Sequence, residues 1–260
     1  VRANLKAQTG CDEWCTFCII PKTRGPLRSM DEDALVAEAS ARVEAGAKEL
    51  VLTGVHLGKY TYDSGGDESS LIRLFTRLLD IEGVWRLRLS SILSRHLTDD
   101  VLAYMASEPR MCRFLHVPLQ AGDDAVLEAM HRPYDIAEYM DAIERTKTAL
   151  PGVALATDII VGFPGETDDE FEDTLSLVAE VGYDGAYTFQ YSPRPMTEAA
   201  DFDVHRESKT HQPPFGARRE IAGAGKRAGN RLVGVGDDAT LLGVESAVSL
   251  ATGVVLTFLR

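Results

Sequence analysis

The sequence predicts an α/β fold, a partial (β/α)6 TIM-like barrel followed by a poorly defined C-terminal segment. Three observations lead there. Short β-branched runs alternate with helical stretches through the first 200 residues, the signature of parallel strands joined by crossover helices. Six such runs occur, too few for an eight-fold barrel and enough for an open one. Beyond about residue 204 the alternation gives way to "HQPPFGARREIAGAGKRAGNRLVGVGDD", rich in Gly, Pro and Arg and without a clear period. Residues 1–204 are therefore expected to form the core domain, and 205–260 an appended segment.

The elements follow in order. "ANLKAQ" (3–8) is the first strand and leads straight into a cysteine-rich loop. "DEDALVAEASARVEAG" (31–46) is a helix with acids in its first turn and Gly46 as its stop. "KELVLTG" (48–54) reads as a buried strand, and "SSLIRLFTRLLDIEG" (69–83) as its helix with Ser69 as the cap. "VWRLRLSS" (84–91) precedes a helix near 98–107, and "CRFLHVPLQ" (112–120) precedes helices over about 123–149, where Asp123 and Asp124 suit the N-terminal dipole. "ALATDIIVGFPGET" (154–167) runs into a tight turn at Gly162, Pro164 and Gly165, with Glu166 or Thr167 opening the acidic helix that follows. "GAYTFQYS" (185–192) is the sixth strand. In barrels of this kind chemistry sits where strands hand over to the following loops.

Composition bounds the function. With 260 residues, 45% of them hydrophobic, the chain can bury a substantial core, and no apolar run is long enough to span a bilayer. The net charge of -13 argues against gripping a phosphate backbone over a broad surface. The last 60 residues hold eight Lys or Arg against seven Asp or Glu, so the acidity lies in the first 200. The sequence opens on Val1 without a charged-then-apolar leader, which predicts no signal peptide and a fragment of something longer. Four cysteines, three of them in one cluster, do not resemble a secreted disulfide scaffold and predict a cytoplasmic protein.

That cluster, Cys11, Cys15 and Cys18 in "CDEWCTFCIIPKTRG", puts three thiols within reach of one metal centre directly after the first strand. Structural zinc usually takes four ligands, and no second CxxC follows; His56 and His116 lie at other strand ends within approach, so zinc stays open. An iron-sulfur cube takes one thiolate per iron. Three thiolates leave one iron free to bind a substrate. Cys112 has no partner in its own motif and reads as a buried hydrophobe.

CxxxCxxC after the first strand of a partial barrel resembles the signature of the radical S-adenosylmethionine (SAM) enzymes, in which the open iron holds the amino and carboxylate groups of SAM. The wording around it is more specific. "GCDEWCTFCIIPKTRGPLRS", "VLTGVHLGKY", "RLSSI", "HVPLQAGDDAVLEAMHRPY", "TDIIVGFPGETDDEFEDT" and "YSPRP" are similar, in order and spacing from about residue 2 to 200, to blocks of the methylthiotransferase family. "LHVPLQAG" and "LTGVHLGKY" look most like the branch acting on threonylcarbamoyladenosine beside the tRNA anticodon; the isopentenyladenosine and ribosomal-protein aspartate branches stay open.

The resemblance implies a radical SAM core with one 4Fe-4S cluster on Cys11, Cys15 and Cys18, SAM as second cofactor, and a deoxyadenosyl radical that removes hydrogen from an adenine C2 before sulfur and methyl are added. It implies a tRNA anticodon loop as substrate, an electron donor such as flavodoxin or ferredoxin, and no membrane. It makes Thr53 and Gly54 part of the SAM cradle, and Ser90 and Ser91 similar to the family's polar contacts. Asp158, Ile160 and Gly162 carry over to the adenosine pocket. For each there is a plainer reading: a tight turn at Gly58, loop caps at the serines, a packed strand and required turn at 158–162. Gln120 can hydrogen-bond a ligand group; His116, flanked by Leu115 and Val117, reads first as a core histidine. Lys22, Arg24, Arg28, Arg132 and Arg194 form either a local RNA-contacting rim or a solvated face.

The sequence departs from the family at Met196, usually Gly, and at Leu93 and Ser94, commonly Glu and Pro. The family's N-terminal domain, which carries a second 4Fe-4S cluster, is not recognised, nor after residue 204 is its small RNA-contacting β-barrel. The expectation is SAM cleavage without methylthiolation if the chain is complete as given. A zinc-stabilised binding module without catalysis is the alternative of another class.

Overall fold

A computed structural model describes residues 1–67 and 69–202. The expected segment 205–260 lies outside the described residues. In chain order the strands and helices are β1 (Arg2–Thr9), α1 (Ile20–Arg24), β2 (Arg28–Ser29), α2 (Glu32–Glu44), β3 (Glu49–Gly54), α3 (Ser69–Leu79), β4 (Arg86–Leu89), α4 (Asp99–Ser107), β5 (Phe114–His116), α5 (Asp124–Ala129), α6 (Ile136–Ala149), β6 (Ala154–Val161), α7 (Asp168–Val181) and β7 (Gly185–Gln190).

The six expected strands are β1, β3, β4, β5, β6 and β7, and they lie side by side in sequence order. β1, β3 and β4 pair in parallel, as do β5, β6 and β7. Between the two ladders, single parallel bridges, Leu87 to Met111 and Ser91 to His116, join the segments around β4 and β5. No ladder joins β7 to β1 among the described residues, so the barrel is open there. The two-residue β2 adds an antiparallel edge to the end of β1, pairing Gln8 with Ser29.

The alternation of side chains explains the layering. Leu5, Leu50, Leu52, Leu87, Leu89, Leu115, Leu155 and Ile159 are buried, and they form one core with Leu35, Leu74, Phe75, Met105, Tyr139, Ile143 and Val178 of the helices. The opposite strand face is mixed, with Val51 and Ala156 also buried, while Glu49 gathers Arg2 at 3.0 Å and Arg88 at 2.7 Å.

Side-chain caps start the helices where the sequence places them. Asp31, Thr98 and Asp123 accept backbone N–H bonds at the starts of α2, α4 and α5. Asp135 with Glu138, and Thr167 with Glu170, close reciprocal capping boxes at α6 and α7. Three expectations need correction. Ser69 is the first helical residue rather than the cap, and the Asp67 carboxylate accepts its N–H at 3.0 Å. β5 spans three residues: Val117 N–H still donates to Ala156 O at 2.8 Å, but Leu119 N–H turns to the Thr157 hydroxyl at 2.9 Å, and backbone bonding to β6 resumes one residue later, where Gln120 N–H donates to Asp158 O at 2.8 Å. Cys112 is half-buried, not a core hydrophobe. Among the described residues no helix is long and apolar enough to cross a membrane.

Candidate metal centre

Gly10 ends the first strand and starts the loop. Its φ of 71° is left-handed, and a Cβ there would stand 1.8 Å from the carbonyl oxygen of Pro26, so only glycine fits. Cys11 N–H then donates to Gly25 O at 3.1 Å, closing the loop on itself. Its middle is fastened to distant parts of the chain. Thr16 gives its N–H to Met130 O at 3.1 Å and its hydroxyl to Ala129 O at 2.8 Å, while Ala199 N–H donates to Thr16 O at 2.9 Å.

The loop carries its three cysteines as free thiols, Cys15 buried and Cys11 and Cys18 half-buried. Burial first, then the nearby Cys15 and Cys18, push the Cys11 thiol up to about 11 against the pull of the Glu13 N–H. Burial raises Cys18 too, with Cys15 adding to it and Arg132 opposing. The three thiols share one short loop, and a cation bound there would favour their thiolate forms against the burial that raises Cys11 and Cys18. The donor set therefore fits a thiolate-bound metal centre.

Two side chains from elsewhere reach the sulfurs. Arg132 places Nη1 3.3 Å from Cys15 Sγ, with its guanidinium 4.9 Å from the centre of the Tyr134 ring. Tyr134 hydroxyl is in turn anchored at 2.9 Å to the carbonyls of Pro118 and Leu119. His56 Nδ1 lies 3.9 Å from Cys11 Sγ, and its Nε2 lies 3.1 Å from Nε2 of His96. Burial is the main reason both imidazoles are pushed down to about 4, so both are neutral at physiological pH. Around them Lys59 pairs with Asp12 at 2.7 Å and Glu13 at 3.1 Å, and Arg95 pairs with Glu13. Cys11, Asp12 and His56 bring ligand atoms within 4.8 Å of one another, so the approach of His56 foreseen for zinc does occur. His116 makes no such approach; its Nε2 lies 3.0 Å from Asp158 Oδ2 and its ring stacks on Tyr187. It sits half-buried beside Asp158 and Tyr187 rather than in the core.

The other expected site residues lie at strand ends with mixed outcomes. Thr53 spends its hydroxyl proton on Leu5 O at 3.0 Å, a strand-to-strand bond. Gly54 faces Gln8 across a register shift in the β1 and β3 ladder, and a Cβ there would meet Gln8 Cβ at 2.8 Å, so the neighbouring strand already requires glycine. Gly58 likewise serves packing, since a Cβ would lie 2.3 Å from the His96 ring. Ser90 fits a binding role better: its N–H is used by Leu52 O, but its buried hydroxyl has no partner among the described residues. Gln120 holds a φ of 73°, rare outside glycine, clamped between Asp158 and Ile160. Ile160 is partly buried on β6, and Gly162 turns with a φ of 74° while giving its N–H to Glu166 Oε2.

Gln8 Nε2 and Arg132 Nη2 join Ser90 Oγ as buried polar atoms without partners among the described residues. Gln8 and Ser90 lie at strand ends on the rim that carries the cysteine loop. Unsatisfied buried groups cost about 1–3 kcal/mol each, so a polar ligand that pairs them is favoured there. Lys22, Arg24 and Arg28 are exposed, whereas Arg132 turns inward to Cys15 and leaves the basic rim. The sequence reading missed the parts played by Arg132, the His56 and His96 pair, and Glu166, a buried carboxyl beneath the 162–165 turn.

The chain matches the model of the radical SAM superfamily over residues 5–178. It is 41% identical over 216 residues to a tRNA-2-methylthio-N(6)-dimethylallyladenosine synthase of Deinococcus radiodurans, covering 82% of this chain and 43% of that protein. It is 42% identical over 200 residues to the threonylcarbamoyladenosine tRNA methylthiotransferase MtaB of Bacillus subtilis, covering 76% and 44%. The chain thus spans less than half the length of these relatives. Among solved structures, the fold is similar to the radical SAM methyltransferase TsrM from Kitasatospora setae, with a TM-score of 0.63, 15% identity and coverage of 76% and 38%. It is also similar to coproporphyrinogen III oxidase from Escherichia coli, with a TM-score of 0.57, 19% identity and coverage of 85% and 49%.

Proposed function

We propose that this chain, which belongs to the radical SAM superfamily, is the catalytic core of a tRNA methylthiotransferase that adds a methylthio group to C2 of a modified adenosine beside the anticodon. The observation that carries the reading is the loop of three free cysteines at the end of the first strand, with the Arg132 guanidinium 3.3 Å from Cys15 Sγ. On this reading Cys11, Cys15 and Cys18 would hold one 4Fe-4S cluster, with SAM as its co-reactant. When bound, the two cofactors supply reductive cleavage of SAM and abstraction of a hydrogen atom.

The protein's own share is placement. Gly10, Thr16 and the Gly25 carbonyl fix the loop, and Arg132 sets a positive charge against Cys15. Ser90 Oγ, Gln8 Nε2 and Arg132 Nη2 offer unpaired groups to the polar end of SAM, and Gln120, Asp158, Ile160 and Gly162 line the nucleoside end. Thr53 and Gly54 shape the rim between β1 and β3 rather than donating to a ligand. The exposed Lys22, Arg24 and Arg28 beside the loop give a local contact for RNA phosphate.

Within the family we assign the threonylcarbamoyladenosine branch, on the "VLTGVHLGKY" block, which brings His56 and Lys59 to the cysteine loop. Methylthiolation itself is proposed of the complete protein, with the second cluster carried by a further domain. Mass spectrometry of tRNA nucleosides from a strain lacking the gene tests this. Loss of the methylthio group from threonylcarbamoyladenosine, restored by the wild-type gene and not by Cys15→Ala, is expected. Loss confined to isopentenyladenosine would move the protein to the other branch, and unchanged tRNA would refute the tRNA reading.

A second reading rests on Cys11, Asp12 and His56, which could hold zinc. It leaves Cys15 and Cys18 without a role, and metal analysis of anaerobically purified protein separates the two.

A further inference from the structure

We infer that His96 fixes the tautomer of His56 so that His56 Nδ1–H donates a hydrogen bond to the Cys11 sulfur, making both histidines positioning residues that tune the metal centre. The inference rests on the reading of Cys11 as a cluster ligand.

The two rings face each other through Nε2 at 3.1 Å, so one must donate and the other accept. If His56 were the donor, His96 would carry its proton on Nδ1, a buried atom without a partner among the described residues. An orphaned N–H in the interior is costly, and His56 Nδ1 would then turn a bare lone pair toward Asp12 Oδ1 at 3.5 Å and Glu13 Oε1 at 3.8 Å. The opposite assignment removes both penalties. His96 Nε2–H donates to His56 Nε2, the orphan on His96 is only an acceptor lone pair, and His56 Nδ1–H points into a ring of acceptors.

Among those acceptors the sulfur has the greatest need. Asp12 has Lys59 at 2.7 Å, and Glu13 has Lys59 and Arg95. Cys11 Sγ accepts one other bond, from the N–H of Glu13 at 3.4 Å. Two single-turn helices build the device. Leu57–Lys59 follows His56 and delivers Lys59, and Ser94–His96 delivers Arg95 with His96. Gly58 leaves the room in which the His96 ring lies, since a Cβ would intrude to 2.3 Å. A donor to a ligand thiolate stabilises the more negative, reduced state of a cluster and so raises its potential.

The test is an EPR-monitored redox titration of the full chain, reconstituted anaerobically with iron and sulfide, without SAM, and with iron counted for each variant. His56→Leu removes the donor, whereas His56→Asn puts an amide N–H where Nδ1 stands. His96→Phe removes the lock, whereas His96→Gln keeps an N–H at Nε2. His56→Leu is expected to shift the reduction equilibrium about tenfold toward the oxidised form, about 59 mV for one electron, with His96→Phe moving the same way and the Asn and Gln variants staying with wild type. In wild type labelled with 15N-histidine, pulsed EPR of the reduced cluster should show a histidine nitrogen coupling. Wild-type potentials in both His56→Leu and His96→Phe, or an Asn variant displaced as far as the Leu variant, would overturn the inference. Where the apolar variants hold no iron, the nitrogen coupling decides, and its absence refutes the proposal. A wild-type chain that assembles no four-iron cluster removes the proposed function with it, whereas a cluster indifferent to His56 removes this inference alone.

Discussion

Arg132 Nη1 stands 3.3 Å from Cys15 Sγ, a contact between residues 117 positions apart in the chain. It links the loop after β1 to the turn between α5 and α6, and the guanidinium is set by its stack on Tyr134 and the bond from Nε to the Tyr134 hydroxyl at 3.1 Å. A charge-assisted donor to a thiolate contributes about 1.5–3 kcal/mol. Arg132→Met is therefore expected to weaken iron retention roughly 10- to 100-fold by chelator competition. Arg132→Lys should recover part of this, because it keeps the charge and loses the fork and the stack.

Gly10→Ala is expected to abolish metal binding while leaving the rest of the barrel folded. The added Cβ would meet Pro26 O at 1.8 Å in a backbone already at φ 71°, so the loop must move and with it Cys11. Iron content after reconstitution, set beside circular dichroism of the same sample, checks both halves. Gly25→Ala separates backbone strain from steric clash, since its Cβ would meet nothing within 4 Å while φ 75° with ψ -166° is backbone essentially confined to glycine. It should cost about 1–3 kcal/mol of stability and lose less iron than Gly10→Ala.

Glu166 gives the chain a pH-dependent stability. Burial is the main cause that lifts its carboxyl from an ordinary 4.5 to about 7, with Glu170 and Asp123 adding to it and the N–H groups of Gly162 and Phe163 opposing. A raised carboxyl means that the folded state binds more protons than the unfolded one, so this contribution is full below pH 4.5 and is lost as pH rises to about 7. Glu166→Gln keeps an acceptor for the two N–H groups and should remove that slope. Urea unfolding across this window should show wild type losing about 3 kcal/mol relative to the variant.

Periodicity made the six strands and their helices legible, because the strands bury apolar side chains against helices and α2, α4, α5, α6 and α7 each start on a capping side chain. It could not show that β5 stops at His116, since the apolar run continues while Leu119 N–H is diverted to the Thr157 hydroxyl. The cysteines were legible from spacing alone. Their partners were not: Arg132 reads as one more surface charge until α5 turns it inward, and His56 meets His96 only because two short turns converge. At Gly54 and Gly58 a motif glycine near a strand end also has a packing reason, the neighbouring strand at Gly54 and the His96 ring at Gly58. The signal that could have found Arg132 is its place beside Tyr134 in "HRPY", an aromatic shelf two residues from a cation.

Single Cys11→Ala, Cys15→Ala and Cys18→Ala changes should each eliminate the visible absorption, because no described fourth thiol stands by to replace a lost ligand; Cys112 lies by β4 and β5, with its N–H on Leu87 O.

Mössbauer spectroscopy of the chain reconstituted with 57Fe, with and without SAM, tests the central claim most directly. The account predicts four irons per chain and one iron site whose signal moves when SAM is added. Protein carrying stoichiometric zinc on Cys11, Asp12 and His56, or a cluster whose irons all ignore SAM, would contradict it.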